Sequence, residues 1–110
     1  SVSPDSSIKN VIFEISEKRL GVAAVLENEK IIGIITDGDI RRMLNNNDTF
    51  SHLTAKDIMT KNPKTIQSSD RVVDAFNIME DYKITQLVVE NEGSYAGILH
   101  LHDILKEGIV

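Results

Sequence analysis

The sequence predicts an α+β (α/β-like) fold made of two βαββα repeats with quasi-twofold symmetry. Three observations support this prediction. The chain matches itself without gaps when its first part is shifted by 64 residues, the separation of Gly33 and Gly97. Each half carries apolar residues at helical spacing. Each half also has two short apolar runs around a polar turn, a pattern typical of a β-hairpin.

The internal repeat depends on the apolar register more than on identical residues. Identities at this offset are few, but they include Gly33 with Gly97 and Asp39 with Asp103. Apolar residues match in pairs that include Ile15 with Met79, Ala24 with Val88, and Ile35 with Leu99. Two halves that bury the same positions are predicted to share one fold. We therefore divide the chain into a first repeat at 1–46, a linker at 47–64 and a second repeat at 65–110.

The first half begins with an amphipathic helix, in which Ile8, Val11, Ile12 and Ile15 share one face. Ser6 or Ser7 is predicted to cap its first turn. Two strands follow at 22–26 and 31–35, joined by a polar turn. A second helix is predicted to begin at Asp37-Gly38-Asp39, with three residues facing inward: Ile40, Met43 and Leu44.

A polar, turn-prone run at 45–48 separates the halves. Thr54 is followed three residues later by Asp57, which is the pattern of a capping box and predicts a short linker helix. Asn62-Pro63 is expected to end this helix, because the residue before a proline avoids the helical conformation.

The second half repeats the same order of elements. Its first helix is predicted to bury four residues: Val72, Val73, Phe76 and Met79. Strands are predicted at 86–89 and 95–99, and the last helix is expected to end near Gly108. Neither half can bury both faces of a three-stranded sheet alone. We therefore expect the two sheets to pack together around a cleft, where ligands tend to bind.

Composition excludes several classes of function. The net charge of −5 argues against nucleic-acid binding, which requires a basic surface. The chain has no cysteine, so disulfides and thiolate metal sites are excluded. No apolar run approaches the roughly 20 residues of a membrane span, and no signal peptide is present, so we expect no membrane contact and a cytoplasmic location. Because the chain lacks an initiator methionine, we expect it to be a piece of a longer protein.

Two segments carry a resemblance to cystathionine β-synthase (CBS) domains. The segment Gly33-Ile34-Ile35-Thr36-Asp37-Gly38-Asp39 resembles the family motif of Gly, two apolar residues, Thr or Ser, two residues and Asp. The segment Asp57-Ile58-Met59-Thr60-Lys61-Asn62-Pro63-Lys64-Thr65-Ile66 resembles the entry to a second CBS repeat. The resemblance covers essentially the whole chain. It implies one CBS pair, or Bateman module, that binds a nucleotide-type ligand.

The segments 36–42, 53–59 and 97–105 are also similar to the C-terminal CBS pair of bacterial arabinose-5-phosphate isomerases. This resemblance implies a parent enzyme in which a sugar isomerase domain precedes the CBS pair. Such enzymes convert ribulose 5-phosphate to arabinose 5-phosphate for Kdo, a sugar of lipopolysaccharide. The catalytic isomerase domain has no counterpart in these 110 residues, so we expect this fragment not to be an enzyme.

The resemblance implies that the chain regulates the isomerase allosterically, and feedback logic favours the end product CMP-Kdo as its ligand. AMP or ATP is the alternative ligand, as in many CBS pairs. A second alternative is a ligand-free oligomerisation scaffold. CBS pairs commonly form homodimers, and a higher oligomer is expected for the full-length protein; Phe13, Phe76 or Tyr82 are candidate interface residues.

Two matching carboxylates are the first candidate ligand contacts. The resemblance makes Asp39 and Asp103 acceptors for ribose hydroxyls, and one carboxylate can accept from two vicinal hydroxyls. The alternative is that both residues only interact with the dipoles of their helices. The resemblance makes Thr36 a contact to ribose or phosphate. The matching residue in the second half is His100, which can donate to a phosphate or carboxylate and can change charge near neutral pH.

Further candidates are cations and strand-entry residues. Arg41 and Arg42 lie in the first turn of a helix, where cations are unfavourable, and this position suggests that they bind an anionic ligand. The alternative is pairing with Asp37, Asp48 or a partner subunit. The resemblance adds four residues at strand entries: Thr65, Lys83, Thr85 and Gln86.

His102 completes the candidate ligand residues, as a helix-entry residue beside the cleft. The alternative is a metal site formed by His100 and His102 with Asp103 or His52. We predict no metal and no cofactor, because a third ligand would have to be aimed at the same point. No nucleophile with an adjacent base, Walker loop or dinucleotide glycine fingerprint is present, so no catalytic residues are predicted.

Overall fold

A computed structural model describes residues 1–18 and 21–106. In chain order its elements are α1 (Ile8–Lys18), β1 (Val22–Glu27), β2 (Lys30–Thr36), α2 (Asp37–Asn46), α3 (Ala55–Ile58), β3 (Thr60–Lys61), β4 (Thr65–Gln67), α4 (Val72–Tyr82), β5 (Gln86–Asn91), β6 (Ser94–His100) and α5 (Leu101–Lys106). The chain divides into two compact units, Ser1–Pro63 and Lys64–Val110. Each unit contains a three-stranded sheet, so the predicted α+β class is confirmed. No helix in the described ranges is long and apolar enough to cross a membrane.

In the first unit the strand order is β1-β2-β3, and both pairings are antiparallel. Helix α1 covers this sheet, and the Oγ atom of Ser7 caps the helix by accepting from the backbone N–H of Asn10 at 3.2 Å. In the buried core, the apolar face of α1 packs against β1, β2 and α3. The core residues are Val11, Ile15, Ala23, Val25, Ile35 and Ala55. Burial of this face is what fixes α1 on the sheet.

In the second unit β4 pairs with β5 in parallel, and β5 pairs with β6 in an antiparallel hairpin. Helices α4 and α5 supply the other half of the core, which contains Ile66, Ala75, Met79, Leu87 and Ile104. The backbone N–H of Leu101 donates to the carbonyl of Thr85 at 2.7 Å, which holds the start of α5 beside the start of β5.

The backbone repeats itself at the offset that the sequence predicts. The hairpin bulge between Val25 and Leu26 returns between Val89 and Glu90, 64 residues later. The turn residues with positive φ also match, as Asn28 and Glu29 in the first hairpin and Glu92 and Gly93 in the second. The parallel bridge of Val2 with Val25 corresponds to the pairing of Ile66 with Val89. These irregular features confirm that both halves share one fold.

Some predicted details are wrong. Four residues predicted to face inward are exposed, namely Ile12, Leu44, Val72 and Val73. In α1, α2 and α4 the core-facing positions are taken instead by Val11, Ile15, Met43, Ala75 and Met79. The linker helix ends at Ile58, before Asn62-Pro63, because Met59 is extended and the next two residues pair with β2 as β3. The predicted end of the last helix at Gly108 lies outside the described residues.

Candidate functional site

The candidate ligand residues cluster where the last strand of each repeat runs directly into a helix. In the first unit β2 ends at Thr36 and α2 begins at Asp37; in the second unit β6 ends at His100 and α5 begins at Leu101. The first backbone N–H groups of a helix lack intrahelical partners, so each helix needs side chains to satisfy them. The two repeats meet this need differently.

In the first repeat Thr36 and Asp39 form a complete capping box. The hydroxyl of Thr36 accepts from the backbone N–H of Asp39 at 3.3 Å, and Oδ2 of Asp39 accepts from the backbone N–H of Thr36 at 2.9 Å. The Thr36 hydroxyl also donates to Oδ2 at 3.1 Å. The helix-terminal role that sequence reasoning offered as the alternative for Asp39 is therefore present in this structure.

Asp39 also receives donors from beyond its own turn. The residue is only 4% exposed, and the hydroxyl of Thr60 lies 3.1 Å from Oδ1 and 3.3 Å from Oδ2. The guanidinium of Arg42 donates to Oδ1. A carboxylate buried to this degree needs hydrogen-bond donors from the protein to replace its lost contacts with water. Asp39 thus joins α2 to the linker strand β3.

The two arginines differ in their surroundings. Arg42 pairs with Asp39, although its own side chain is 67% exposed; the alternative partners Asp37 and Asp48 are not the ones it binds. Arg41 is exposed and, within the described ranges, donates no hydrogen bond to another side chain. Of the two, Arg41 is the cation with its donors available to a ligand.

A polar cavity of about 310 Å³ lies beside this network, lined by Asp39, Arg42, Met43, Asn46, Asn47, Leu53, Asp57 and Ile58. The predicted cap of the linker helix forms one edge of the cavity. The backbone N–H and hydroxyl of Thr54 donate to Oδ2 of Asp57 at 2.8 and 3.1 Å. These two hydrogen bonds hold the pKa of Asp57 below its ordinary value.

In the second repeat a histidine performs the capping. The Nδ1 atom of half-buried His100 accepts from the backbone N–H of His102 at 3.0 Å. An imidazole nitrogen that accepts carries no proton, so neutral His100 carries its proton on Nε2 and can donate there. Asp103 and His102 are exposed, and among the described residues no donor bonds to the Asp103 carboxylate. No group of three His, Asp or Glu residues in the described part of the chain is arranged to hold a metal.

The four strand-entry candidates lie in the second unit. Gln86 is the Cα partner of His100, and Thr65 begins β4 beside Val88. Lys83 ends α4 in the left-handed conformation, and Thr85 is exposed. Lys83 and Thr85 help to line an apolar cavity of about 230 Å³, which is completed by Phe76, Met79, Glu80, Ile84 and Leu101. The structure therefore places Lys83, Thr85, Gln86 and His100 around the start of α5.

A CBS domain family model matches residues 1–46 and 55–109. The chain belongs to the CBS domain family. Its curated relatives include arabinose 5-phosphate isomerase KdsD of Francisella tularensis, which is 42% identical over 106 residues that cover 96% of this chain and 32% of that protein. The chain spans about a third of the length of the curated relatives it matches.

Solved structures agree with this assignment. A crystal structure of a CBS domain matches with a TM-score of 0.88 at 24% identity, over 100% of this chain and 87% of that one. A CBS domain protein from Pyrobaculum aerophilum, complexed with AMP, matches with a TM-score of 0.83 at 25% identity, over 96% and 88% of the two chains. The resemblance on which the sequence prediction depended is confirmed.

Sequence reasoning missed the role of Thr60 in this CBS pair. The linker motif at 57–66 gives Thr65 a predicted ligand role and Asp57 a predicted capping role, but it gives Thr60 no predicted function. The hydroxyl of Thr60 reaches Asp39 only because β3 pairs with β2, which sets Thr60 opposite Ile34. A strand of two exposed residues has no periodicity that a sequence could reveal.

Proposed function

We propose that this CBS pair is the regulatory ligand-binding module of an arabinose 5-phosphate isomerase and acts in the cytoplasm. The observation that carries the proposal is the 42% identity to KdsD over 96% of the chain. The CBS pair covers only 32% of that relative, which leaves room in such a parent for a separate catalytic domain. On this proposal the CBS pair contributes binding, and the parent contributes the isomerase chemistry.

We propose a nucleotide or nucleotide sugar as the ligand, and CMP-Kdo as the first candidate. The chemistry at the helix starts supports this class. In the second unit, the exposed carboxylate of Asp103 can accept from vicinal ribose hydroxyls, and Nε2 of His100 can donate to phosphate or to the carboxylate of Kdo. In the first unit, taken by itself, the exposed guanidinium of Arg41 can donate to the same kinds of anionic group. CMP-Kdo contains ribose hydroxyls, a phosphate and a carboxylate. As the end product of Kdo synthesis, its concentration would report on the output of the pathway.

Regulation requires that the ligand bind two conformations of the parent with different affinity. A coupling of 1–3 kcal/mol, which is about 5- to 150-fold in affinity, is typical of allosteric proteins. The same coupling acts in both directions, so a sugar phosphate bound to the catalytic domain of the parent would change the affinity of the CBS pair for its ligand by the same factor.

Calorimetric titration of the chain with CMP-Kdo, CMP, AMP and ATP tests the ligand. Binding of CMP-Kdo that exceeds binding of AMP by tenfold or more supports the end-product sensor. The 2′-deoxy form of the nucleotide that binds is the matched control, because it lacks one of the two vicinal hydroxyls. Equal binding of the ribose and deoxyribose forms would contradict a carboxylate contact to the ribose.

AMP is the second candidate ligand, because the Pyrobaculum aerophilum protein was solved with AMP. Selective binding of AMP or ATP in the same titrations would make the module an energy sensor. If none of the four nucleotides binds, the proposed sensor is wrong, and a ligand-free scaffold becomes the better explanation.

We also propose that the CBS pair forms a homodimer, within a higher oligomer in the parent. Phe13 on α1 is 66% exposed and Tyr82 at the end of α4 is 55% exposed, so both rings are available to a partner surface. Phe76, the third candidate, instead packs against the core of its own unit. Sedimentation of the wild type and of Phe13→Ser tests this proposal: a dimer that dissociates in the variant supports it, and a monomeric wild type contradicts it.

A further inference from the structure

The two sheets of the CBS pair differ at one edge. In the first unit Val2 bridges to Val25 on one side of the β1–β2 hairpin, and β3 pairs with β2 on the other side. In the second unit β4 takes the place of Val2, but within the described residues no strand pairs with the outer edge of β6. The linker strand β3 therefore lacks a counterpart, and a strand edge of this kind offers unpaired backbone donors and acceptors.

Two matched glycines show the same difference. Gly33 lies opposite Lys61 of β3. A Cβ atom at Gly33 would lie 2.6 Å from Sδ of Met59 and 2.9 Å from the carbonyl oxygen of Thr60. Gly97 is its match 64 residues later, and a Cβ atom there would meet no atom of the described residues within 4 Å. The space that the linker fills beside Gly33 is thus open beside Gly97.

Apolar residues of the second unit are also less covered than their counterparts in the first unit. Val72 on α4 is 36% exposed, whereas its match Ile8 on α1 is 3% exposed. Leu99 in β6 is half-buried, whereas its match Ile35 in β2 is fully buried. Removing exposed apolar area of this kind from water is favourable, so a segment that covered it would be held there.

In the first unit the linker packs beside these positions. The backbone N–H of Ala55 donates to the carbonyl of Ser6 at 2.9 Å, which ties α3 to the chain just before α1. Ala55 is fully buried in the same core as Ile35, and Ile58 and Met59 pack against that core. A segment with the same pattern as residues 55–61 would give the second unit the same cover.

The length of the parent indicates where such a segment comes from. The chain spans about a third of the length of its curated relatives. The CBS family model begins at residue 55 in the second repeat but at residue 1 in the first. Shifted by 64 residues, the segment 55–64 corresponds to the ten residues that would precede Ser1 in a parent whose catalytic domain comes before the CBS pair.

We infer that the β6 flank, which consists of Val72, Gly97, Ile98 and Leu99, is the docking site of a linker-like segment, and that in the parent this segment is the ten residues that precede Ser1. The segment adds a strand to β6 by backbone pairing and packs apolar side chains against the flank. The identity of the occupant depends on the proposed function, which supplies a parent with a preceding domain. The docking flank itself does not depend on it.

This docking would give the ligand a route to the catalytic domain of the parent. Ile98 of the β6 flank lies two residues before His100, where the candidate ligand residues surround the start of α5. A ligand that binds the docked and undocked forms with different affinity would change how firmly the connecting segment is held.

An extended chain tests the docking directly. The segment Ala55–Lys64 is copied immediately before Ser1, so that each copied residue lies 64 positions before its original. A chain that carries the same residues in scrambled order is the matched control. The copied extension should raise the Tm by roughly 4 °C or more above the control. It should also slow hydrogen exchange at the outer amides of β6 roughly tenfold or more.

Gly97→Ala locates the extension on the flank. In the chain with the copied extension, the added methyl group would meet the copied methionine and the backbone that follows it, as at Gly33. The loss of Tm caused by Gly97→Ala should therefore be larger by roughly 4 °C or more in that chain than in the scrambled control. An equal loss in both chains would mean that the extension does not lie at Gly97.

The remaining outcomes decide the occupant. Equal Tm and equal exchange in the copied and scrambled chains would overturn the inference. A gain in Tm that grows with protein concentration would show that the extension of a second copy fills the edge, and would overturn the assignment to the same chain. Hydrogen exchange in the full-length parent also covers an extended chain that does not fold. Strong protection of the outer β6 amides there supports the inference, and protection no greater than in the 110-residue chain overturns it. Failure of nucleotide binding would refute the proposed function without changing any of these readouts.

Discussion

Substitution by alanine should change the free energy of unfolding in opposite directions at two glycines that lie five residues apart. Gly33 lies in β2, where it pairs with Lys61 of the linker strand β3, and Gly38 lies in the first turn of α2. A Cβ atom at Gly38 would meet its nearest atoms at ordinary distances, 3.5 Å from Oγ1 of Thr36 and 4.0 Å from a guanidinium nitrogen of Arg41. At Gly33 the nearest atoms are too close, at 2.6 and 2.9 Å.

The magnitudes follow from which atoms can move. Replacing glycine by alanine gains about 0.5–1 kcal/mol in regular structure, because the unfolded chain loses freedom. Gly38→Ala should show this gain. At Gly33 the side chain of Met59 can rotate away, but the carbonyl of Thr60 is backbone, and its displacement disturbs the β2–β3 pairing. Overpacking of this kind costs about 1–3 kcal/mol, which outweighs the gain. Gly33→Ala should therefore destabilise the chain.

Thermal and urea unfolding of the two variants beside the wild type measures both effects. Each kcal/mol shifts the Tm of a domain of this size by roughly 4–8 °C. The Tm should therefore rise in Gly38→Ala and fall in Gly33→Ala, with the urea m-value unchanged. A neutral or stabilising Gly33→Ala would refute the close packing of the linker on β2, and with it the placement of Thr60 at Asp39.

Three further predictions concern single contacts. His100→Ala should lose about 1 kcal/mol of unfolding free energy with the cap of α5, whereas His100→Asn should retain most of it, and the amide resonance of His102 should report the difference. Asp57→Asn should be less stable than the wild type at pH 7, because folding lowers the pKa of the Asp57 carboxyl. The difference in unfolding free energy is fully present above the pKa of Asp57 in the unfolded chain. It should disappear as the pH falls through the pKa of Asp57 in the folded chain. The ammonium of Lys64 lies 4.1 Å from the ring centroid of Tyr82, so a double-mutant cycle in urea should give a coupling of about 0.5–1 kcal/mol, and zero coupling would mean that the contact is not populated in solution.

The carboxylate of Asp39, a residue of the CBS motif, already accepts hydrogen bonds from other groups of this chain. The motif residues Thr36 and Asp39 are present, but in this structure they bond to each other and to the linker. The second repeat departs from the motif at His100, yet it keeps the more accessible carboxylate. A match to the motif therefore identifies a position in the fold, and the rest of the chain decides the contacts around its carboxylate.

Local sequence patterns determined the elements of this protein. The apolar spacing in α1, the two hairpins and the 64-residue offset were all readable, because each depends on residues that are neighbours along the chain. The caps at Ser7 and Thr54 were predicted for the same reason, since each involves residues three apart. The cap at Thr36 has the same spacing, but the sequence analysis interpreted Thr36 only as a ligand contact.

Only the tertiary structure decided the state of the site. Thr60 and Asp39 are 21 residues apart, and they meet because a two-residue strand pairs with the edge of β2. The burial of Asp39 and the exposure of Leu44, Val72 and Val73 likewise depend on which face of each helix the sheets cover. Hydrogen-bond capacity is set by all the donors that converge on an atom, and those donors come from separate parts of the chain, so no local pattern in the sequence contains that information.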